Sequence, residues 1–278
     1  MKTLANHLIL FDAECPMCRL YTNAFIGANM LDEDGRAAYQ TLQAEACPMV
    51  DRQRAVNEIA LVNKTTGEVT YGVHSLFKVI GNALPVLKPL FNFRPFAFLM
   101  IKVYSFISYN RRVIIPTAGD GFALQPTFKL HYRVAYLIFT WAITSLILTY
   151  YAPLLGGIMP VGGLYREALI CGGQIFFQGM VISFADPKKR WEYLGNMMTI
   201  SFAGGLLLLP VVMISGLTGN HPVMYASYFM LVAGLMFLEH IRRSKLLAIG
   251  WLPTISWAFY RALILIVILY LETINHAV

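Results

Sequence analysis

Five long apolar stretches in the second half of the chain most constrain its fold, because each approaches the roughly 20 residues that a helix needs to cross a bilayer. They cover about residues 134–155, 167–185, 195–217, 223–241 and 253–272. With 57% hydrophobic and 13% charged residues, the chain is too apolar for a pair of soluble domains. Gln174 and Gln178 lie in the second stretch and leave a re-entrant helix as an alternative there. Residues 134–278 are therefore predicted to form an all-α transmembrane bundle of about five helices.

Basic residues are placed as the positive-inside rule expects for five spans. Those on the predicted cytosolic side precede the first stretch, follow the second and follow the fourth: Arg111, Arg112, Lys129, Arg133, Lys188, Lys189, Arg190, Arg242, Arg243 and Lys245. The opposite loops carry only Arg166. The net charge of +7 thus flanks apolar segments and does not form a nucleic-acid surface. The N-terminal residues show no secretory signal, so we expect a cytosolic N-terminus and a multi-pass protein of the cell (inner) membrane.

The first 113 residues alternate short apolar runs with helical stretches and turn signals, which predicts a compact α/β domain. Strands are expected at residues 8–11, 38–42, 59–62 and 68–71, and helices at 15–30, 73–80 and 89–109. Residues 114–133 carry Pro116, Gly119, Gly121 and Pro126 without strong periodicity and are interpreted as a linker. The predicted domains are therefore 1–113, the linker 114–133, and 134–278.

The Cys15-Pro16-Met17-Cys18 motif is the strongest chemical signal, since it places two thiols one helical turn apart just after a buried strand. Cys15 is expected at the helix N-cap, where unpaired N–H groups and the helix dipole favour a thiolate. The carboxylates of Asp12 and Glu14 oppose a second negative charge and should limit the lowering of the Cys15 pKa. Asp12 could alternatively relay a proton to Cys18.

Two other interpretations of the motif are metal binding and no chemistry at all. A structural zinc site needs four ligands, and the chain has no second Cys-x-x-Cys. The further ligands would have to come from residues such as Cys47, His7 and His74, which folding would have to bring close to the motif. The strand, Cys-x-x-Cys and helix in succession favour redox chemistry over both alternatives.

The N-terminal segment resembles a known family over roughly residues 6–113. The residues that carry the resemblance are Phe11-Asp12 with Cys15 and Cys18, Leu42-Gln43, the strands of Ile59 to Tyr71, Gly72 to Phe77, and Tyr104 with Asn110-Arg111-Arg112. In order and spacing they are similar to the DCC family of thioredoxin-like thiol-disulfide oxidoreductases. The resemblance implies a thioredoxin-like fold, Cys15 as the attacking thiol, Cys18 as the resolving thiol, and Asp12 as the signature aspartate.

The membrane half shows no comparable motif. Its only cysteine is Cys171, which is expected to pack as a small apolar residue. Arg261 lies inside the fifth stretch, where a charge is either functional or reaches back toward the cytosol, and Glu239 and His240 are its candidate partners. No haem or metal motif is present in the sequence, and we predict neither a cofactor nor a resident metal.

Together these patterns predict a membrane-anchored thiol-disulfide oxidoreductase whose Cys15 and Cys18 act with Asp12 at the cytosolic membrane face. Its expected partners are a protein or small-molecule thiol or disulfide, the lipid bilayer, and a membrane protein or second copy of the chain. No nucleic acid is expected. The alternative is a membrane binding or transport subunit whose thioredoxin-like domain is a docking module or a metal-binding site.

Overall fold

The structure is a computed structural model that describes residues 2–41, 49–117, 125–162, 165–219 and 221–277. Its internal contacts divide the chain into two units, Met1–Tyr132 and Arg133–Val278. The first unit carries the sheet and the second is built of long helices. Leu42-Gln43, Cys47, Gly119 and Gly121 lie outside the described residues.

A small mixed sheet of four strands organises the first unit. The strands are β1 (His7–Phe11), β2 (Arg36–Ala38), β3 (Ala60–Asn63) and β4 (Val69–Tyr71), in the spatial order β2-β1-β3-β4. The pair β1 and β2 is parallel, whereas β3 is antiparallel to both β1 and β4. The helices are α1 (Pro16–Gly27), α2 (Arg52–Asn57), α3 (Val73–Ala83), α4 (Lys88–Asn92) and α5 (Arg94–Ile114).

Both faces of this sheet are buried, because alternate residues of the central strands enter different apolar clusters. Ile9 and Leu61 pack with residues of α1 and α3 such as Phe25 and Val79. On the other face a second cluster comprises Leu10, Tyr39, Ala55, Val56, Ala60 and Val62. The continuous apolar runs that predicted β1 and β3 are typical of strands covered on both sides.

The second strand lies two residues earlier than its predicted start and ends at Ala38. Pairing with β1 sets this register, with Ile9 opposite Arg36 and Phe11 opposite Ala38. Beyond Ala38 the chain turns, because the N–H of Thr41 donates to the Ala38 carbonyl at 3.2 Å. The predicted strand at 38–42 therefore overlaps β2 only at Ala38 and was wrong for the described residues 39–41.

The predicted helix at 89–109 is broken at Phe93. A 3-10 turn at Pro85–Leu87 leads into α4, and α5 begins at Arg94 after an 89° bend. Pro95 in the first turn of α5 has no N–H to continue a hydrogen-bonded helix from α4. The same proline is well tolerated at the start of α5, where that N–H would be unpaired.

Among its described residues, the second unit contains five helices that are long and apolar enough to cross a membrane, which indicates a multi-pass membrane protein. They are α6 (Leu130–Tyr151), α7 (Arg166–Ala185), α8 (Arg190–Thr218), α9 (Pro222–Leu246) and α10 (Leu252–Ala277), the first beginning three residues before the unit boundary. The count reaches six if the bent pair α4 and α5 forms one span. The second stretch, α7, is one continuous helix of 20 residues.

At one end of the second unit, basic side chains form hydrogen bonds between the ends of different helices. Arg133 donates to the Trp191 carbonyl at 2.9 Å, and Lys189 donates to the Leu247 carbonyl at 2.8 Å. A further bond links Arg243 to Asn196 at 3.0 Å. Residues from three separate parts of the sequence thus lie at the same end, as the positive-inside pattern requires.

Candidate active site

The cysteine motif lies where β1 passes into α1, and Cys15 is the N-cap residue of that helix. Its backbone is extended, Pro16 occupies the first turn, and the Cys18 N–H donates to Cys15 Sγ at 3.3 Å. The Cys15 N–H in turn donates to the Asp12 carbonyl at 3.1 Å. The sulfur of Cys15 therefore takes the place of the side-chain oxygen that usually caps a helix.

The two thiols have opposite acidities. The pKa of Cys15 is lowered to about 7, chiefly by a hydrogen bond with the Cys18 side chain, against the opposing effect of burial, with further help from the charge of Arg111. The pKa of Cys18 is raised, chiefly by its hydrogen bond to Cys15 and then by burial. Cys15 is therefore the more acidic thiol of this pair, because the Cys18 side chain stabilises its thiolate.

A buried ion pair lies beside the thiols. Arg111 donates to Asp12 Oδ2 at 2.6 Å, and the side chains are 5% and 2% exposed. The other carboxylate oxygen accepts from Gln40 Nε2 at 2.7 Å and from the Glu14 N–H at 3.0 Å. Asp12 is therefore held by three donors, and buried charges of this kind are tolerated only when they are paired.

Helix α5 delivers Arg111 to this position, and its other contacts fix it against the sheet. The Tyr104 hydroxyl accepts from the Ile59 N–H at 3.0 Å, and Ser108 donates to the Asn57 carbonyl. Arg111 itself also donates to the Val56 carbonyl at 2.8 Å. The guanidinium is thus oriented by backbone as well as by Asp12.

The neighbouring pair of Arg112 and Glu14 differs from the buried pair in its exposure. The Arg112 guanidinium lies 3.1 Å from the Glu14 carboxylate, with side-chain exposures of 24% and 13%. Asp12 and Glu14 were expected to limit the lowering of the Cys15 pKa. Asp12 does oppose it, but its effect on the Cys15 pKa is smaller than the opposite effect of Arg111.

Tyr21 is a site residue that sequence reasoning missed. Its side chain packs against the two cysteines and lowers the pKa of the Cys18 thiol, and burial raises the pKa of this phenol so that it stays protonated. Tyr21 follows Cys18 by three residues on α1, and this spacing, which places both on one helix face, is the signal that could have identified it.

Both cysteines are 4% exposed, and no disulfide joins them in this structure. They pack in a small cluster with Phe11, Met17 and Tyr21. Next to the motif, Leu20 is 72% exposed. Both thiols are therefore nearly closed off from solvent, although an exposed apolar side chain lies close to them in the sequence.

The structure gives no support to a metal site among its described residues. No group of three or more His, Cys, Asp or Glu side chains there is arranged to hold a metal ion. The ring of His7 bonds the Ala5 carbonyl at 2.8 Å, and His74 is exposed. Cys47, the third candidate ligand, lies outside the described residues.

In the second unit the candidate partners of Arg261 have other partners. Glu239 accepts from Arg242 at 2.6 Å and from Arg243 at 2.7 Å, because both arginines follow it by about one helical turn. His240 bonds Thr254 at 3.1 Å and Tyr193 at 3.2 Å. Arg261 stacks over the Trp257 ring at 4.3 Å, and Cys171 is half-buried.

The two glutamines of α7 face different surroundings within the bundle. The Gln178 side-chain oxygen accepts from the hydroxyls of Tyr193 at 2.8 Å and Ser256 at 3.2 Å, while Gln174 is buried. A Cβ atom at Gly173 would lie 2.5 Å from the Tyr260 hydroxyl oxygen. The absence of a side chain at Gly173 thus permits close packing of α7 against α10.

Comparison with models of known protein families, with curated proteins and with solved structures finds no match for this chain.

Proposed function

We propose that the chain is a membrane-bound thiol-disulfide oxidoreductase whose reacting pair is Cys15 and Cys18. The observation that carries the proposal is the N-cap position of Cys15, with its pKa lowered to about 7 beside a protonated Cys18. A thiol with a pKa near the ambient pH combines a large thiolate fraction with good nucleophilicity, which is the best compromise for disulfide exchange.

The proposed reaction has two exchange steps. The Cys15 thiolate attacks one sulfur of a substrate disulfide, which forms a mixed disulfide and releases the other sulfur as a thiolate. Cys18 then loses its proton and attacks Cys15 Sγ, which closes the Cys15–Cys18 disulfide and releases the second substrate thiolate. The dithiol loses two electrons, the substrate gains them, and the two released thiolates take protons from water.

The difference in pKa between the two thiols also explains how Cys18 becomes reactive in the second exchange step. Its pKa is raised chiefly by the hydrogen bond to Cys15. Once Cys15 is part of a mixed disulfide it carries no negative charge, so the main cause of the raised Cys18 pKa is removed. The positive charge of Arg111, which lowers the pKa of both thiols, then favours the Cys18 thiolate.

Asp12 acts in this proposal by holding Arg111. Its carboxylate is fully occupied by Arg111, Gln40 and the Glu14 N–H, an arrangement that suits a positioning group better than a proton relay. The sequence alone favoured proton transfer as an alternative role. The two roles differ in their effect on the Cys15 pKa, which only the positioning role should change.

The proposed fold assignment is thioredoxin-like and of the DCC type. The supporting features are the order β2-β1-β3-β4, the antiparallel direction of β3, and a Cys-x-x-Cys at the junction of β1 and α1. We further propose that this unit lies at the cytosolic face of the inner membrane. In a reducing cytosol the pair rests as a dithiol and serves as a reductant or redox sensor.

A redox titration of the purified full-length chain tests the proposal. The protein is equilibrated with glutathione buffers, trapped by alkylation, and its thiols are counted by mass. In a background with Cys47 and Cys171 replaced by serine, we expect one two-electron transition in which two thiols pair in an internal disulfide. Cys15→Ser and Cys18→Ser should form no internal disulfide, and the oxidised product of Cys18→Ser should be a mixed disulfide with glutathione. An internal disulfide in either variant, or thiols that never pair in the parent, contradicts the proposal.

The pH dependence of the midpoint potential provides a second test. Below the Cys15 pKa of about 7 both thiols are protonated, and oxidation releases two protons; above it only Cys18 is protonated, and one proton is released. The potential should therefore fall by about 59 mV per pH unit below pH 7 and by about 30 mV per pH unit above it. A single slope from pH 5.5 to pH 9 would show that Cys15 does not ionise in this range.

A second candidate, a membrane binding or transport subunit, is favoured by the polar network inside the second unit. Buried Gln178, Tyr193, His240 and Thr254 are linked there by hydrogen bonds. Polar groups inside a membrane bundle often mark ligand pathways. Under this alternative Cys15→Ser leaves the cellular function intact, while His240→Leu abolishes it.

A further inference from the structure

An apolar surface of the first unit is left uncovered between Pro85 and Ile107. The exposed members of this surface are Val86, Leu90, Phe93, Phe98, Leu99, Ile101, Val103 and Ile107, and we call it the α4–α5 surface. Val86 is 82% exposed and Phe98 is 63% exposed. Large contiguous apolar areas are rare on soluble domains and usually mark an interaction site.

The charged residues within the chain segment that forms the α4–α5 surface are all basic. The sequence has no Asp or Glu between residues 69 and 119. Lys88, Arg94 and Lys102 lie within the surface, and the Lys102 ammonium is 5.3 Å from the Phe98 ring centroid. A helix with bulky apolar residues interleaved with lysine and arginine is typical of segments that lie in a membrane interface.

The same helix is bound at its other end to α2 and to the residue just before β3. Tyr104, Ser108 and Arg111 bind the backbone of Ile59, Asn57 and Val56. The C-terminal half of α5 is therefore packed within the first unit, and its contacts there prevent it from crossing a bilayer. The exposed N-terminal half and α4, at 89° to it, remain as a rigid apolar projection of that unit.

We propose that the α4–α5 surface inserts into the interfacial layer of an anionic membrane. The five long apolar helices of the same chain already imply a bilayer as its surroundings, and the negative surface potential of a leaflet with anionic lipids complements Lys88, Arg94 and Lys102. The aromatic side chains of Phe93 and Phe98 supply the apolar part of the contact. The occupant is thus the lipid surface, at the depth of the headgroups and the first acyl carbons.

Photo-labelling of the full-length protein in nanodiscs tests the inference. The nanodiscs contain phosphatidylglycerol or only phosphatidylcholine, together with a phospholipid carrying a diazirine near the top of its acyl chain. Adducts are located by peptide mass spectrometry. We expect labelling of the peptide that contains Phe98 and Leu99 in anionic discs, and none around Leu20, a 72% exposed apolar residue of α1 in the same unit.

Two variants separate the apolar and charged contributions. The double variant Phe98→Gln with Leu99→Gln should abolish labelling of this peptide. Replacing Lys88 or Lys102 with Gln should lower labelling in anionic discs about fivefold for each charge and leave it unchanged in neutral discs. The redox titration of each variant should match the parent, because none of these residues contacts Cys15 or Cys18.

Three results would overturn the inference. The first is absence of label on the peptide in anionic discs. The second is equal labelling by a diazirine at the acyl terminus, independent of lipid charge, which would identify α4 and α5 as a broken span. The third is loss of labelling when two copies occupy one disc, with cross-links between their Phe98 peptides, which would show that a second copy of the chain covers the surface.

Discussion

Replacing Arg111 with glutamine is expected to destabilise the first unit by about 3–5 kcal/mol, the usual cost of removing one partner from a buried ion pair. The variant leaves the Asp12 carboxylate, 2% exposed, without its 2.6 Å partner and leaves the Val56 carbonyl without a donor. It also removes a positive charge that lowers the Cys15 pKa. Stability and thiol acidity should therefore change together.

The measurement has to report on the first unit alone, because unfolding of a protein with two units is not a two-state process. Hydrogen exchange of peptides covering β1 and α1 in the full-length chain provides this local readout. The rate of Cys15 alkylation as a function of pH gives the midpoint of thiolate formation. In Arg111→Gln, exchange should accelerate and the midpoint should rise above 7.

Arg112→Gln is a matched control, since it removes the same group from the next position of the same helix. Its pair with Glu14 is partly exposed, so a change of only about 0–1 kcal/mol is expected. Equal losses of stability in the two variants would show that burial of the Asp12–Arg111 pair does not increase its contribution to stability. An unchanged alkylation midpoint in Arg111→Gln would separate Arg111 from the thiol chemistry.

Asp12→Asn distinguishes positioning from proton transfer. If Asp12 holds Arg111 in place, its loss should raise the alkylation midpoint of Cys15, as Arg111→Gln does. If Arg111 keeps its place without Asp12, the midpoint should fall, since a nearby negative charge has been removed. A slower second exchange step with an unchanged midpoint would instead favour the proton relay.

The local features of the site could be predicted from sequence because they arise from neighbouring residues. An apolar run marks β1, Pro16 marks the first turn of α1, and the Cys-x-x-Cys spacing brings Cys18 back to Cys15. The five apolar helices were equally predictable, since length and composition alone determine whether a segment can span a bilayer.

The partner of Asp12 could not be predicted in this way. Arg111 lies 99 residues further along the chain, and no periodicity links the two positions. From sequence, Arg111 was one of the basic residues that flank the apolar stretches. That pattern describes composition and contains no information on which carboxylate the arginine pairs with. Only the docking of α5 through Tyr104 and Ser108 shows that Arg111 is directed into the thiol site.

The bend at Phe93 shows a different limit of sequence reasoning. Apolar and aromatic residues run continuously through α4 and α5, so the pattern predicted one helix. Pro89 and Pro95 are compatible both with a kinked helix and with two helix starts. The choice between these depends on tertiary packing, because the C-terminal half of α5 is fixed by its contacts with β3 and α2.

A persistent mixed disulfide is expected when Cys18 is replaced by serine. The Cys15 thiolate can still attack oxidised glutathione, but a serine hydroxyl cannot resolve the product, so one glutathione should stay attached to each chain. Cys15→Ser should carry none at this position, and the parent should release glutathione as its own disulfide closes. Intact mass before and after a reductant measures all three, in a background with Cys47 and Cys171 replaced by serine.

Comparison of Cys18→Ser with Cys18→Ala separates the two roles of this residue. Serine retains a donor toward Cys15, whereas alanine removes the hydrogen bond that contributes most to the lowered Cys15 pKa. Both variants should trap glutathione, but Cys18→Ala should do so at a rate whose pH midpoint is shifted toward 9, the ordinary value for a thiol. Identical midpoints would assign the acidity of Cys15 to Arg111 and the helix N-terminus, and would leave Cys18 with resolution as its only role.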